Sequence, residues 1–217
     1  ALALLAIALP PEKKPADPLA EARDRLQHGN IAEARAGYEQ FTKNEKLAAK
    51  AAMGIARCWR IEGENTRALT ALDDGLKAAA DDPDLRAHRA DLLYSLGQWD
   101  AALKDAEAVI AKHENHFLAR WVRARILRDR GDLAAADKEV RWFVRAYSDA
   151  ENADKPITDP ELLLIVGQAG AENALWNHRP QQFSFILNEV YRDALKKDPA
   201  CWQAENLAGR MLLEKHN

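Results

Sequence analysis

Residues Pro83 to Lys112, PDLRAHRADLLYSLGQWDAALKDAEAVIAK, decide how the rest of the chain is read. They predict two helices joined at a glycine. Pro83 suits a first helical turn, where its missing N–H would have no partner in any case. The first helix runs to about Leu96. Gly97 supplies the left-handed residue that ends a helix without a Cβ clash. The second helix runs from about Gln98 to Lys112.

The arrangement returns at one spacing. Gly29, Gly63, Gly97 and Gly131 lie 34 positions apart. Ala22, Ala56, Ala90 and Ala124 stand seven residues before them, and Ala34, Ala68, Ala102 and Ala136 five residues after. Self-similarity at a fixed period marks a repeat architecture. Small residues facing each other across a hairpin let two helices approach near the short end of the usual range of about 8–10 Å.

A 34-residue helix–turn–helix of this pattern resembles the tetratricopeptide repeat family. Ala90, Leu93, Gly97, Trp99, Ala102 and Val109 carry the resemblance, with their equivalents one period either side. The large family positions differ. Where the family has a bulky residue early in the first helix and Leu three places on, this chain has Pro18, Ala52, Arg86 and Arg120, then Glu21, Ile55, Arg89 and Arg123. The resemblance implies an all-α, right-handed superhelical solenoid of antiparallel helix pairs.

The expected organisation is a signal or anchor remnant with its linker at 1–17, four repeats at 18–146, a linker loop at 147–159, and a C-terminal part at 160–217. Ala1 to Leu9, ALALLAIAL, is too short to span a bilayer, which takes about 20 residues. It suits the apolar part of a secretory signal, or a helix packing on the first repeat. The first reading places the protein outside the cytoplasm (periplasmic or extracellular) or anchored to a membrane, the second in the cytoplasm. Pro10 to Pro18 reads as a stiff polar linker. In the second unit Gly75 costs about 1 kcal/mol against Ala, which close approach by a neighbouring helix would explain. Ser148 to Pro160 is polar and proline-containing. Glu161 to Trp176 and Gln182 to Lys197 then read as a fifth, irregular hairpin with an enlarged turn. Trp202 to Glu214 reads as the first helix of a sixth unit, so the natural protein is expected to continue past Asn217.

A net charge of −3 gives no case for nucleic acid or an anionic membrane as partner, since those need a basic excess. Cys58 and Cys201 have neither metal nor redox spacing, and Cys58 reads as a small buried hydrophobe beside Trp59. His113-Glu114-Asn115-His116 has its histidines three apart, not the four of a helical metalloprotease motif, and reads as a solvated turn between repeats. No phosphate loop or nucleophile elbow is present. No catalytic site, metal or cofactor is expected.

The remaining site is geometric and comes from the resemblance. In such solenoids the first helices line a concave groove. Its family positions here hold Leu19, Arg23, Leu26 and Gln27; Lys50, Met53, Arg57 and Arg60; Ala87, Asp91, Tyr94 and Ser95; and Leu118, Trp121, Arg125 and Arg128. A locally basic groove would take an acidic or C-terminal protein segment, with Arg23, Lys50, Arg57, Arg60, Arg125 and Arg128 as charged contacts and Tyr94 and Trp121 as apolar ones. The competing reading is a solvated face in which these arginines pair with the chain's own carboxylates. The family's clamp for chaperone tails needs a Lys and Asn set that is missing at Leu19, Arg23, Gly54, Ala87 and Asp91. The expected role is a non-catalytic protein-interaction scaffold. A helical arm of a larger enzyme and a structural assembly subunit are the alternatives.

Overall fold

The computed structural model describes residues 17–216, with side chains to residue 213. The apolar run and linker at 1–16, on which the signal or anchor expectation rests, lie outside them. The chain forms helices α1 (Ala20–Gln27), α2 (Ile31–Glu39), α3 (Ala48–Ile61), α4 (Asn65–Ala78), α5 (Pro83–Ser95), α6 (Trp99–Lys112), α7 (Phe117–Asp129), α8 (Leu133–Asn152) and α9 (Pro160–Trp176). Then come α10 (Gln182–Phe185), a π-helical stretch (Ile186–Tyr191), α11 (Arg192–Lys197) and α12 (Trp202–His216). No strand occurs among the described residues. The architecture is an all-α right-handed solenoid of antiparallel helix pairs.

Each of the first four hairpins turns at its glycine. Gly29, Gly63, Gly97 and Gly131 take φ of +78°, +78°, +74° and +84°. The residue after each donates its N–H to a carbonyl five positions back: Asn30 to Arg25, Glu64 to Trp59, Gln98 to Leu93 and Asp132 to Leu127, all within 2.8–2.9 Å. This closure satisfies carbonyls that a helix end leaves open. The fifth hairpin makes the same bond, Arg179 N–H to Ala174 O at 2.7 Å, but with His178 in the left-handed conformation at φ +52°. Helix starts are fixed by Asp82, Asp132 and Asp159, whose carboxylates accept from Leu85, Ala135 and Glu161 N–H, the usual stabilising cap.

Odd-numbered helices form an inner layer, with α3 on α5, α5 on α7 and α7 on α9, while the even-numbered ones pack chiefly on the flanking odd ones. The paired alanines are buried between them. Ala90 and Ala102 are both fully inaccessible and share one cluster with Leu93, Ala106 and Val109. Gly75 has the expected cause: a Cβ there would come within 2.7 Å of Ala52 Cβ and 3.0 Å of Leu85 Cδ2.

The departures from the family's large residues are filled by buried ion pairs. Arg89 makes a two-pronged contact with Asp105 (2.7 and 2.8 Å) and a third bond to Asp73. Arg86 also reaches Asp105. One repeat later, Arg123 and Arg120 both bind Glu139, at 2.6 and 2.9 Å. Asp105 and Arg120 are only 4% and 7% exposed. The third and fourth hairpins thus close their open ends with guanidinium and carboxylate where the family uses apolar bulk.

Helix α8 runs further than the sequence reading, to Asn152 within the segment expected as loop. Tyr147 is the reason. It is buried in the fifth-hairpin core with Leu163 and Val190, which anchors the last turns while Ser148 and Asp149 face solvent. The helix expected from Gln182 to Lys197 passes through the π-helical stretch at the point where the Tyr191 ring lies against Gly167; a Cβ on Gly167 would sit 2.1 Å from Tyr191 Cε1.

Candidate functional site: the concave face

The inner layer brings most of the predicted groove residues together. Asp91 on α5 lies between two arginines of flanking helices: its Oδ2 accepts from Arg60 Nη1 on α3 at 2.8 Å, its Oδ1 from Arg125 Nη2 on α7 at 2.5 Å. Burial would raise the Asp91 carboxyl, but the charges of Arg125 and Arg60 outweigh it and hold it below the usual carboxylate range. The Arg125 guanidinium also stacks over the Tyr94 ring, 4.3 Å from its centroid, a cation–π contact.

A second set continues along the face. Tyr94 Oη donates to Asp129 Oδ2 at 2.6 Å. Arg128 donates to Asp129, to Tyr94 Oη, and to Glu172 on α9. Burial raises the Glu172 carboxyl in spite of Arg128.

The two ends of the solenoid also meet across this face. Arg57 on α3 binds Glu161 at the start of α9, 2.6 Å apart and 104 residues away in sequence. Gln27 at the end of α1 donates to Asp198, just before α12, at 3.1 Å. His88 on α5 sits half-buried nearby; burial and the charge of Arg57 hold it below its ordinary range, so it is neutral at pH 7.

The predicted residues therefore divide. Arg60, Tyr94, Arg125 and Arg128 form one connected polar network, and Arg57 pairs separately with Glu161. Arg23 is bonded to Asp17 at 2.7 Å, and Lys50 is exposed in the first turn of α3. Trp121 does not offer an apolar contact. It is 4% exposed, edge-on to Phe143 at 6.0 Å, inside the core between the fourth and fifth hairpins. Leu19 and Ala87 are likewise core residues. Nor is the face a bare basic groove: Asp91, Asp129, Glu161 and Glu172 balance its four central arginines. Glu161 and Glu172 went unseen in the sequence because α9 lies past the break in the 34-residue register.

The other candidates are structural. His116 caps α7: its Nδ1 accepts from Ala119 N–H at 3.3 Å, which leaves Nε2 to donate to Asp84 at 3.0 Å. No group of three or more His, Cys, Asp or Glu that could hold a metal occurs among the described residues. Cys58 is fully inaccessible, and burial pushes its thiol up to about 11, in the range of an inert buried thiol. Among the described residues no helix is long and apolar enough to cross a membrane.

Comparison with known proteins agrees with this geometry. The chain matches the tetratricopeptide repeat model over residues 19–83 and 89–151. It is 36% identical over 87 residues to a tetratricopeptide repeat and J domain-containing co-chaperone of Cryptococcus neoformans, a match spanning 40% of this chain and only 16% of that protein. A thermophilic tetratricopeptide repeat protein of Thermus thermophilus superposes with a TM-score of 0.60 at 16% identity, over 90% of this chain and 97% of that one. Human IFIT1 superposes with a TM-score of 0.57 at 17% identity, over 87% and 43%. These two likenesses concern the fold alone. The matched repeats cover more than half of the sequence, and the chain belongs to the tetratricopeptide repeat family.

Proposed function

We propose that this chain is a non-catalytic protein-interaction scaffold whose concave face takes an acidic segment of a partner at its Arg57–Arg60 end. One observation carries the reading. Arg57 already holds a carboxylate from a distant part of its own chain, Glu161, in a pair that is 46% and 55% exposed. An ion pair so accessible to water stabilises by about 0–1 kcal/mol, so a partner's carboxylate can replace it at little cost. Arg60 is 38% exposed beside it. Arg125 is 18% exposed and bound on both sides, so it positions Asp91 and Tyr94 rather than meeting the partner directly. The co-chaperone match supports a role in handling other proteins.

The test is fluorescence anisotropy with a labelled acidic peptide. Arg57→Ala with Arg60→Ala should weaken binding about tenfold or more, while Glu161→Gln should strengthen it by freeing Arg57. Equal affinity in all three proteins removes the groove from the account.

A further inference from the structure

A separate cleft opens between α8 and the turn of the fifth hairpin. Its walls are Arg141, Val144 and Arg145 of α8, Asn173 of α9, and Asn177 and Arg179 of the turn, around a cavity of about 270 Å³. We infer that this cleft is a binding site for a doubly charged oxyanion carried on a protein segment, either a phosphoryl group or a pair of adjacent carboxylates.

The floor points to a ligand. Asn173 is 6% exposed and lines the cleft. Its backbone oxygen accepts from Asn177 Nδ2 at 2.9 Å, but its own carboxamide has no hydrogen-bond partner among the described residues. Asn173 lines the cleft, so its unbonded carboxamide is within reach of a ligand that enters there.

The charges agree. Arg141 is held by Asp137 at 2.6 Å and donates to Asn177 Oδ1 at 2.9 Å, which fixes its guanidinium at one wall. Arg145 and Arg179 have no acidic partner among the described residues, in a chain whose guanidiniums are mostly occupied by carboxylates. With Asp137 offsetting Arg141, the cleft keeps a surplus of two positive charges, matched by a dianion. Guanidinium forks and an amide N–H are the donors that planar or tetrahedral oxyanions take. Val144 offers an apolar wall for the stem bearing the anion. The left-handed His178 and the Arg179 N–H bond to Ala174 hold Arg179 at the rim.

The experiment is a side-chain NMR titration of the full chain, following the Asn173 amide and the Arg145 and Arg179 Nε–H signals. The probes are a phosphoserine tripeptide and a blocked Asp-Asp dipeptide, with sodium chloride at matched ionic strength as control. Saturable shifts of Asn173 with either probe, absent with chloride and weakened about tenfold or more in the exposed-site double variant Arg145→Gln, Arg179→Gln, are expected. The probe that binds identifies the anion. Shifts absent for both probes, or unchanged in the double variant, overturn the site. Arg57→Ala with Arg60→Ala should leave these shifts intact, so the cleft and the concave face fail separately.

Discussion

Arg125 stands one repeat length after Asp91, and the two are bonded, Arg125 Nη2 to Asp91 Oδ1 at 2.5 Å. Equivalent positions in successive repeats come to lie side by side on adjacent inner helices. A column of like charges there would repel. The chain breaks the column by placing an aspartate between Arg57 and Arg125, where it serves Arg125 and Arg60 together.

Asp91→Asn should therefore lower stability at pH 7 by about 1–3 kcal/mol, since the largely buried Arg125 and the more open Arg60 both lose their counter-charge. Because the folded-state Asp91 carboxyl lies below its ordinary value, its contribution is present above the unfolded carboxylate range near pH 3.9. It fades as the pH falls through the folded value. Urea denaturation at pH 7, 4 and 3 should show a flatter acid loss in the variant than in the natural sequence; parallel curves would contradict the assignment.

The Arg89–Asp105 pair gives a different test. Asp105→Ala leaves two arginines facing a buried vacancy and should cost about 3–5 kcal/mol. Adding Arg89→Leu, which restores the family's residue at that place, should recover most of the loss, because a buried pair can be exchanged for apolar packing at little net cost. A double variant no better than the single one would show that the ion pair is needed as such.

Glycines of different standing should respond oppositely to alanine. Gly167→Ala places a Cβ 2.1 Å from the Tyr191 ring and should lower stability by about 1–3 kcal/mol. Gly209, on α12, has nothing within 4 Å of a built Cβ, so Gly209→Ala should stabilise by up to about 1 kcal/mol through helix propensity. Thermal melts of the two variants against the natural chain check both signs.

Closure across the concave face is electrostatic and accessible to water, so it should yield without unfolding. Glu161→Lys sets two cations against each other at Arg57. Small-angle scattering should show a longer maximum dimension, while the melting temperature changes little, the exposed pair being worth about 0–1 kcal/mol. An unchanged scattering profile would mean that packing of α9 on α7 and α8, not the Arg57 contact, sets the curvature.

Much of the fold was legible because its causes are local. A glycine with φ near +78°, a proline or aspartate at a helix start, and an alanine in a crossing all act within one hairpin, and the 34-residue spacing repeats them. The candidate face was legible only in part. The groove positions of α3, α5 and α7 kept register, so their shared side could be read. Their carboxylate partners on α9 could not, and Trp121 was misplaced because the fifth hairpin that buries it lies outside the repeat.

The sequence by itself determined that helical hairpins of one length would stack with their first helices on a common side, since that follows from short-range packing and turn chemistry. Tertiary structure alone decided what that side presents. Curvature brings Glu161 to Arg57 and Asp198 to Gln27, contacts between residues more than a hundred positions apart. Whether a charge faces a partner or its own chain depends on that long-range geometry, which no periodicity encodes.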